Sequence, residues 1–75
     1  MLLKRIKDLR EDNDLRQKDI AENLGIPERT YGNYEMGVRE IPIPILIDLA
    51  EFYGTSVDYI LEITDETEPY TASKR

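Results

Sequence analysis

Residues 17–37 read QKDIAENLGIPERTYGNYEMG, and this stretch decides the fold. Ile20, Ala21 and Leu24 share one face at helical spacing, so a helix is predicted over about 17–24. Gly25 follows as a residue type that takes positive φ easily and stops a helix. Ile26 then drops back toward the core, completing a tight turn at Leu24-Gly25-Ile26. Pro27 suits the start of a second helix, where its missing N–H costs little. Glu28 lies near that helix's positive end. Tyr31 and Tyr34, three apart, point inward from a helix over about 28–36, with Thr30 and Glu35 beside that face. Gly37 stops it. Glu28, Arg29, Gly32 and Asn33 are left on the outer face. Ala21 is small, which lets the second helix cross the first closely. Gly32 costs about 1 kcal/mol against alanine in a helix interior, so either a close approach or mere drift put it there.

Outward from this pair, three more helices are predicted. Leu2, Ile6, Leu9 and Asn13 fall at i, i+4, i+7 and i+11, with Leu3 adjacent, giving an amphipathic helix over about 2–13. Lys4, Arg5, Lys7, Asp8, Glu11 and Asp12 fill its other side, and its basic residues are read as a solvated face. Leu15 plugs the core after the helix ends. Val38 to Pro44 is an extended linker, since each proline disfavours helix in the residue before it. A fourth helix over about 44–53 carries Ile45, Leu46, Leu49, Ala50, Phe52 and Tyr53, too many apolar positions for a narrow stripe. It is therefore expected to run through the centre. Gly54 ends it. Thr55 or Ser56 caps a fifth helix over about 56–62, with Asp58 in its first turn and Val57, Ile60 and Leu61 inward. Tyr31, Tyr34, Phe52, Tyr53 and Tyr59 are read as core packing. The expected fold is all-α, a compact five-helix bundle in one domain (1–63) with a polar, flexible tail (64–75).

Composition narrows the chemistry. Seventy-five residues sit near the lower limit for a core that folds without staples. Neither cysteine nor histidine occurs. Disulfides, thiolate metal sites and Ser-His or Cys-His nucleophiles are thereby excluded. The carboxylates are scattered over helix surfaces, so the chain is read as no enzyme, with no cofactor and no metal. No apolar run approaches the roughly 20 residues of a membrane span, and the charged start MLLKRIKDLR does not suit a signal peptide. A cytoplasmic location is expected. The net charge of −6 is uneven. Residues 1–40 hold eight Lys/Arg against nine Asp/Glu, whereas residues 41–75 hold two against seven. The two-helix unit is thus nearly neutral, and the local field governs docking more than the total does.

The run LKRIKDLREDNDLRQKDIAENLGIPERTYGNYEMG, followed by PILIDLAEFYGTSVDYIL, resembles the Cro and lambda-repressor-like helix-turn-helix family of bacterial and phage regulators, over about residues 2–62. Leu15-Arg16-Gln17, Ala21 to Gly25, Tyr34 to Gly37 and Leu49 to Leu61 carry the resemblance. It implies sequence-specific binding of double-stranded DNA, with helix 28–36 in the major groove, and repression or control of transcription as a homodimer. It places Gln17 as a phosphate and base-edge contact, and turns Glu28, Arg29, Gly32 and Asn33 toward the bases. Those residue types suit base reading, since Arg forks onto guanine, Asn onto adenine, and Glu accepts from cytosine. Arg29 is the main expected reader, with Glu28 as a second acceptor or an ion-pair partner that orients it. Arg16, Lys18, Thr30 and Arg39 are phosphate candidates. Tyr59, Ile60 and Ile63 are the expected pairing surface. Two departures stand out, Arg16 and Pro27, where the family often has Ser or Thr. The acidic second half and TDETEPY also suit an alternative, a protein-binding module of the same fold with an antitoxin-like or anti-repressor role.

Overall fold

A computed structural model describes residues 3–68. It contains five helices: α1 (Lys4–Asp12), α2 (Gln17–Leu24), α3 (Glu28–Glu35), α4 (Ile43–Tyr53) and α5 (Val57–Ile60). Their order and type are those the sequence predicts. The ends of α2 coincide and the others differ by at most two residues, where the last hydrogen bonds of a helix fray.

Local chemistry explains each boundary. Arg16 precedes α2 and offers no side-chain acceptor, so Asp19 supplies the cap instead. The Asp19 carboxylate accepts from the Arg16 backbone N–H at 2.9 Å and from its guanidinium at 3.2 and 3.1 Å. Aspartate near the start of a helix also complements its dipole. Gly25 takes φ of +72°, and Ile26 N–H donates to the Ala21 carbonyl at 3.0 Å, closing the turn. Pro27 stands just before α3 with φ of −63°, and Pro42 does the same for α4 at −62°. Ser56, rather than Thr55, caps α5, its hydroxyl accepting from Tyr59 N–H at 3.0 Å.

Leu3, Ile6, Ile20, Ala21, Tyr31, Tyr34, Leu46, Leu49, Ala50 and Ile60 form the core, so every helix contributes to it. Leu9, Leu15, Leu24, Ile26, Ile45, Tyr53 and Val57 pack around it. Four expectations are corrected here. Asn13 is exposed and its side chain donates to the Leu9 carbonyl at 2.7 Å. Phe52 is 42% exposed, its ring set edge-on to Tyr53 at 5.0 Å. α4 does not run through the centre: Ile43 and Ile47, one turn apart, lie on its outer side. A bundle this small has too little chain to cover both sides of a helix.

The fourth correction is Arg5, which is not simply solvated. Its guanidinium lies 4.2 Å from the centre of the Tyr59 ring. It donates to the carbonyls of Tyr59 and Thr64, at 2.9 and 2.7 Å, and to the Asp65 carboxylate at 2.6 Å. One side chain thus ties α1 to α5 and to the chain beyond it. Thr64 and Asp65 therefore have fixed partners at the start of the segment expected to be flexible. The rest of that expectation, over residues 69–75, lies outside the described residues, as does Leu2.

Tyr53 gives a test of the packing. Burial, and then the charge of Glu35, push its hydroxyl from 10.0 up to about 12. That hydroxyl is buried and has no hydrogen-bond partner among the described residues. A group whose pKa is raised on folding favours the folded state below its unfolded value and loses that contribution above it. Wild-type stability is expected to fall as pH rises from 10 through 12. Tyr53→Phe should keep neutral-pH stability and flatten part of that fall, read from urea midpoints across pH.

Candidate nucleic-acid interface

α2 and α3 meet across the Gly25 turn and leave a groove on their outer side. Gln17, Glu28, Arg29, Gly32, Asn33 and Met36 line it. All five positions expected to face the bases are thus brought to one surface. Met36 is the addition: it ends α3 one turn past Gly32 and is largely exposed. Its apolar type suggests nothing in the sequence beyond the close of a helix. Arg29 and Glu28 are both exposed in the first turn of α3. Among the described residues no ion pair joins them.

Gln17, on the groove, also belongs to a buried polar cluster. Glu35 is only 6% exposed, yet it carries a carboxylate. Arg10 Nε donates to its Oε2 at 2.6 Å and Arg10 Nη2 to its Oε1 at 3.2 Å. The fully buried Tyr31 hydroxyl donates to Oε2 at 2.6 Å, and Gln17 Nε2 to Oε1 at 3.0 Å. Arg10 has a further acceptor in the Leu15 carbonyl at 2.8 Å. Every oxygen of the carboxylate is therefore matched by donors, as a buried charge requires. Burial pushes the Glu35 carboxyl up, but the bonds from Arg10, Tyr31 and Gln17 outweigh it and hold it below 4.5. Burial and the bond to Glu35 push the Tyr31 hydroxyl upward. A Cβ on Gly32 would stand 3.2 Å from Gln17 Oε1.

Sequence reasoning misses this cluster. It leaves Arg10 with the basic residues of a solvated face and sets Glu35 merely beside the aromatic face of its helix. A signal is present, since Glu35 lies one turn after Tyr31 and next to Tyr34, on the inward side.

The flanking candidates are more scattered. Arg16 is exposed but occupied by Asp19. Lys18 is exposed near the start of α2, and Thr30 is half-buried in α3. Arg39 is exposed in the loop after α3, where Val38 and Arg39 N–H groups both donate to the Asn33 carbonyl. The expected pairing surface does not hold together. Ile60 is fully buried and belongs to the core, and Tyr59 is half-buried beneath Arg5. Only Ile63, 69% exposed, is open to a partner. Beyond Arg39 no Lys or Arg occurs up to residue 68, while eight carboxylates do. None of those carboxylates lines the groove.

The helix-turn-helix family profile matches residues 6–60, which spans all of α2 and α3 and the packing around them. The chain belongs to the helix-turn-helix family, of Cro/C1 type. Curated relatives agree with this helix-turn-helix assignment. The chain is 38% identical over 74 residues to the uncharacterized HTH-type transcriptional regulator YobD of Bacillus subtilis, covering 99% of this chain and 66% of that protein. It is 34% identical over 68 residues to the cryptic phage CTXphi transcriptional repressor RstR of Vibrio cholerae, covering 91% and 59%. It is 36% identical over 58 residues to the HTH-type transcriptional regulator ImmR of Bacillus subtilis, covering 77% and 46%. The chain thus spans from about half to just under two thirds of the length of these relatives. No solved structure matches it. Among the described residues, no helix is long and apolar enough to cross a membrane, and no group of His, Cys, Asp or Glu is arranged to hold a metal ion.

Proposed function

We propose that this helix-turn-helix domain reads a specific sequence in double-stranded DNA and regulates transcription, acting as a repressor. α3 enters the major groove, with Arg29 and Asn33 at base edges and Gln17 at the junction of backbone and bases. Lys18 and Arg39 neutralise phosphates, with Arg16 contributing when Asp19 releases it. The carrying observation is the α2–α3 groove, where Gln17, Arg29, Gly32 and Asn33 share one surface. Family membership and a relative named as a repressor support the same reading. Pairing as a homodimer would set two copies of α3 about 34 Å apart, one turn of DNA, with Ile63 at the contact.

A second reading is a protein-binding module of the same fold. It draws on a cleft away from the groove, where the exposed Phe52 sits with Asn23, Asp48 and Glu51.

Selection of bound fragments from random DNA decides between them. A regulator is expected to enrich a two-fold symmetric site, with log affinity falling linearly with log salt. If no fragment is enriched at low salt while the domain co-purifies with a protein, the second reading replaces the first.

A further inference from the structure

We infer that Gly32 and Glu35 together lock the Gln17 carboxamide in one orientation, so that Gln17 meets DNA as a preset donor and acceptor. This rests on the DNA-binding reading of the groove. A glutamine amide has two orientations that exchange its oxygen and its NH2 group. Glu35 decides between them. Its carboxylate, already accepting from Arg10 and Tyr31, has only acceptors to offer, so the NH2 end of Gln17 must face it, as the 3.0 Å bond shows. The flipped amide would set oxygen against oxygen.

Gly32 leaves room for the other end. Gln17 Oε1 lies 3.2 Å from the point that a Cβ at position 32 would occupy. Glycine leaves that space, and any other residue there presses on the amide oxygen. The space is on the groove surface, since Gln17 and Gly32 both line it. One N–H is spent on Glu35; the other N–H and Oε1 remain for a ligand. The free N–H suits a phosphate or a guanine edge, and Oε1 suits an amino group of adenine or cytosine. Ordering this long side chain during folding spares its entropy at binding. The lock also gives a reason for a helix-interior glycine that propensity alone disfavours. Gly32 and Glu35 are positioning residues, and Gln17 is the contact.

Gly32→Ala, Gln17→Ala and the double variant test this on the site selected by the wild-type domain. Alanine should raise the thermal stability of α3 and yet weaken DNA binding by on the order of threefold to tenfold, the loss of about one hydrogen bond. In the Gln17→Ala background the same substitution should cost nothing. An equal loss in both backgrounds means that the Cβ meets DNA itself, and no loss in either means that the space is unused; each overturns the inference. NMR of the free proteins examines the lock without DNA. The Gln17 Nε2 proton that donates to Glu35 should lie downfield of its position in an unfolded chain in the wild type and move back toward that position in Gly32→Ala. A wild-type Gln17 Nε2 proton at its unfolded-chain position overturns the lock. A wild-type domain that binds no DNA refutes the reading of the groove, whereas the NMR result still decides the lock.

Discussion

Replacing Glu35 by alanine is expected to destabilise the domain by about 3–5 kcal/mol, the cost of leaving one half of a buried ion pair without the other. Arg10 would keep the Leu15 carbonyl and a long ion pair to Glu11 at 4.0 Å, with a side chain that is 13% exposed. The Tyr31 hydroxyl, fully buried, would lose its acceptor, and alanine would leave a void beside it. Small domains are stable by about 5–15 kcal/mol in all, so the variant should be largely unfolded at moderate urea. The pair is costly to break without being a large net source of stability. The double replacement Arg10→Met with Glu35→Leu should therefore recover much of the loss, since apolar residues of similar size often substitute for a buried pair at little cost. Acid gives a second handle. The Glu35 carboxyl is held below 4.5 in the folded state. Its contribution is then present above that ordinary value and is lost as pH falls through the lower folded one. Urea unfolding followed by circular dichroism, from pH 7 down to 3, measures both effects. If Glu35→Ala shifts stability by less than about 1 kcal/mol, the cluster does not hold the domain together as described.

Where the chain's pattern is local, the fold is legible. Ile20, Ala21 and Leu24, the Gly25 stop and the Tyr31–Tyr34 spacing place α2 and α3 with no knowledge of their neighbours, because each signal lies within one helical turn. Glu28, Arg29, Gly32 and Asn33 follow from the same facing argument, Gln17 from the family resemblance and Met36 from neither. What the pattern hides is set by contacts between distant residues. Arg10 meets Glu35 across 25 positions and Arg5 meets Asp65 across 60. No periodicity distinguishes a charge that folds inward onto a partner from one that faces water. Phe52 errs the other way: an aromatic on an apolar helix reads as core, but it stands 42% exposed in an open cleft with Asn23, Asp48 and Glu51. Gly32 looks like a defect of α3 because propensity sees only the helix, whereas its use lies in the Gln17 side chain that crosses it.

Arg29→Ala is expected to cost about 1–3 kcal/mol on the selected site and to relax the base preference at one position of each half-site. Arg29 is exposed in the first turn of α3, and no ion pair among the described residues ties it down. It is the only Lys or Arg in that helix, so a lost fork onto guanine has no substitute nearby. Because the side chain is exposed, folding stability should change by no more than about 0.5 kcal/mol, which separates this loss from that of Glu35→Ala. Lys18→Ala supplies the contrast. A phosphate contact should weaken binding about equally on all sequences and lower the salt slope by about one, with preference unchanged. Measured side by side, the two variants distinguish reading from anchoring. Glu28 sharpens the comparison, since its carboxylate beside Arg29 repels phosphate and leaves the base edges as the favourable target for this turn of α3. Unchanged affinity and unchanged preference in Arg29→Ala would remove α3's first turn from the recognition surface and shift the reading to Asn33 and Gln17.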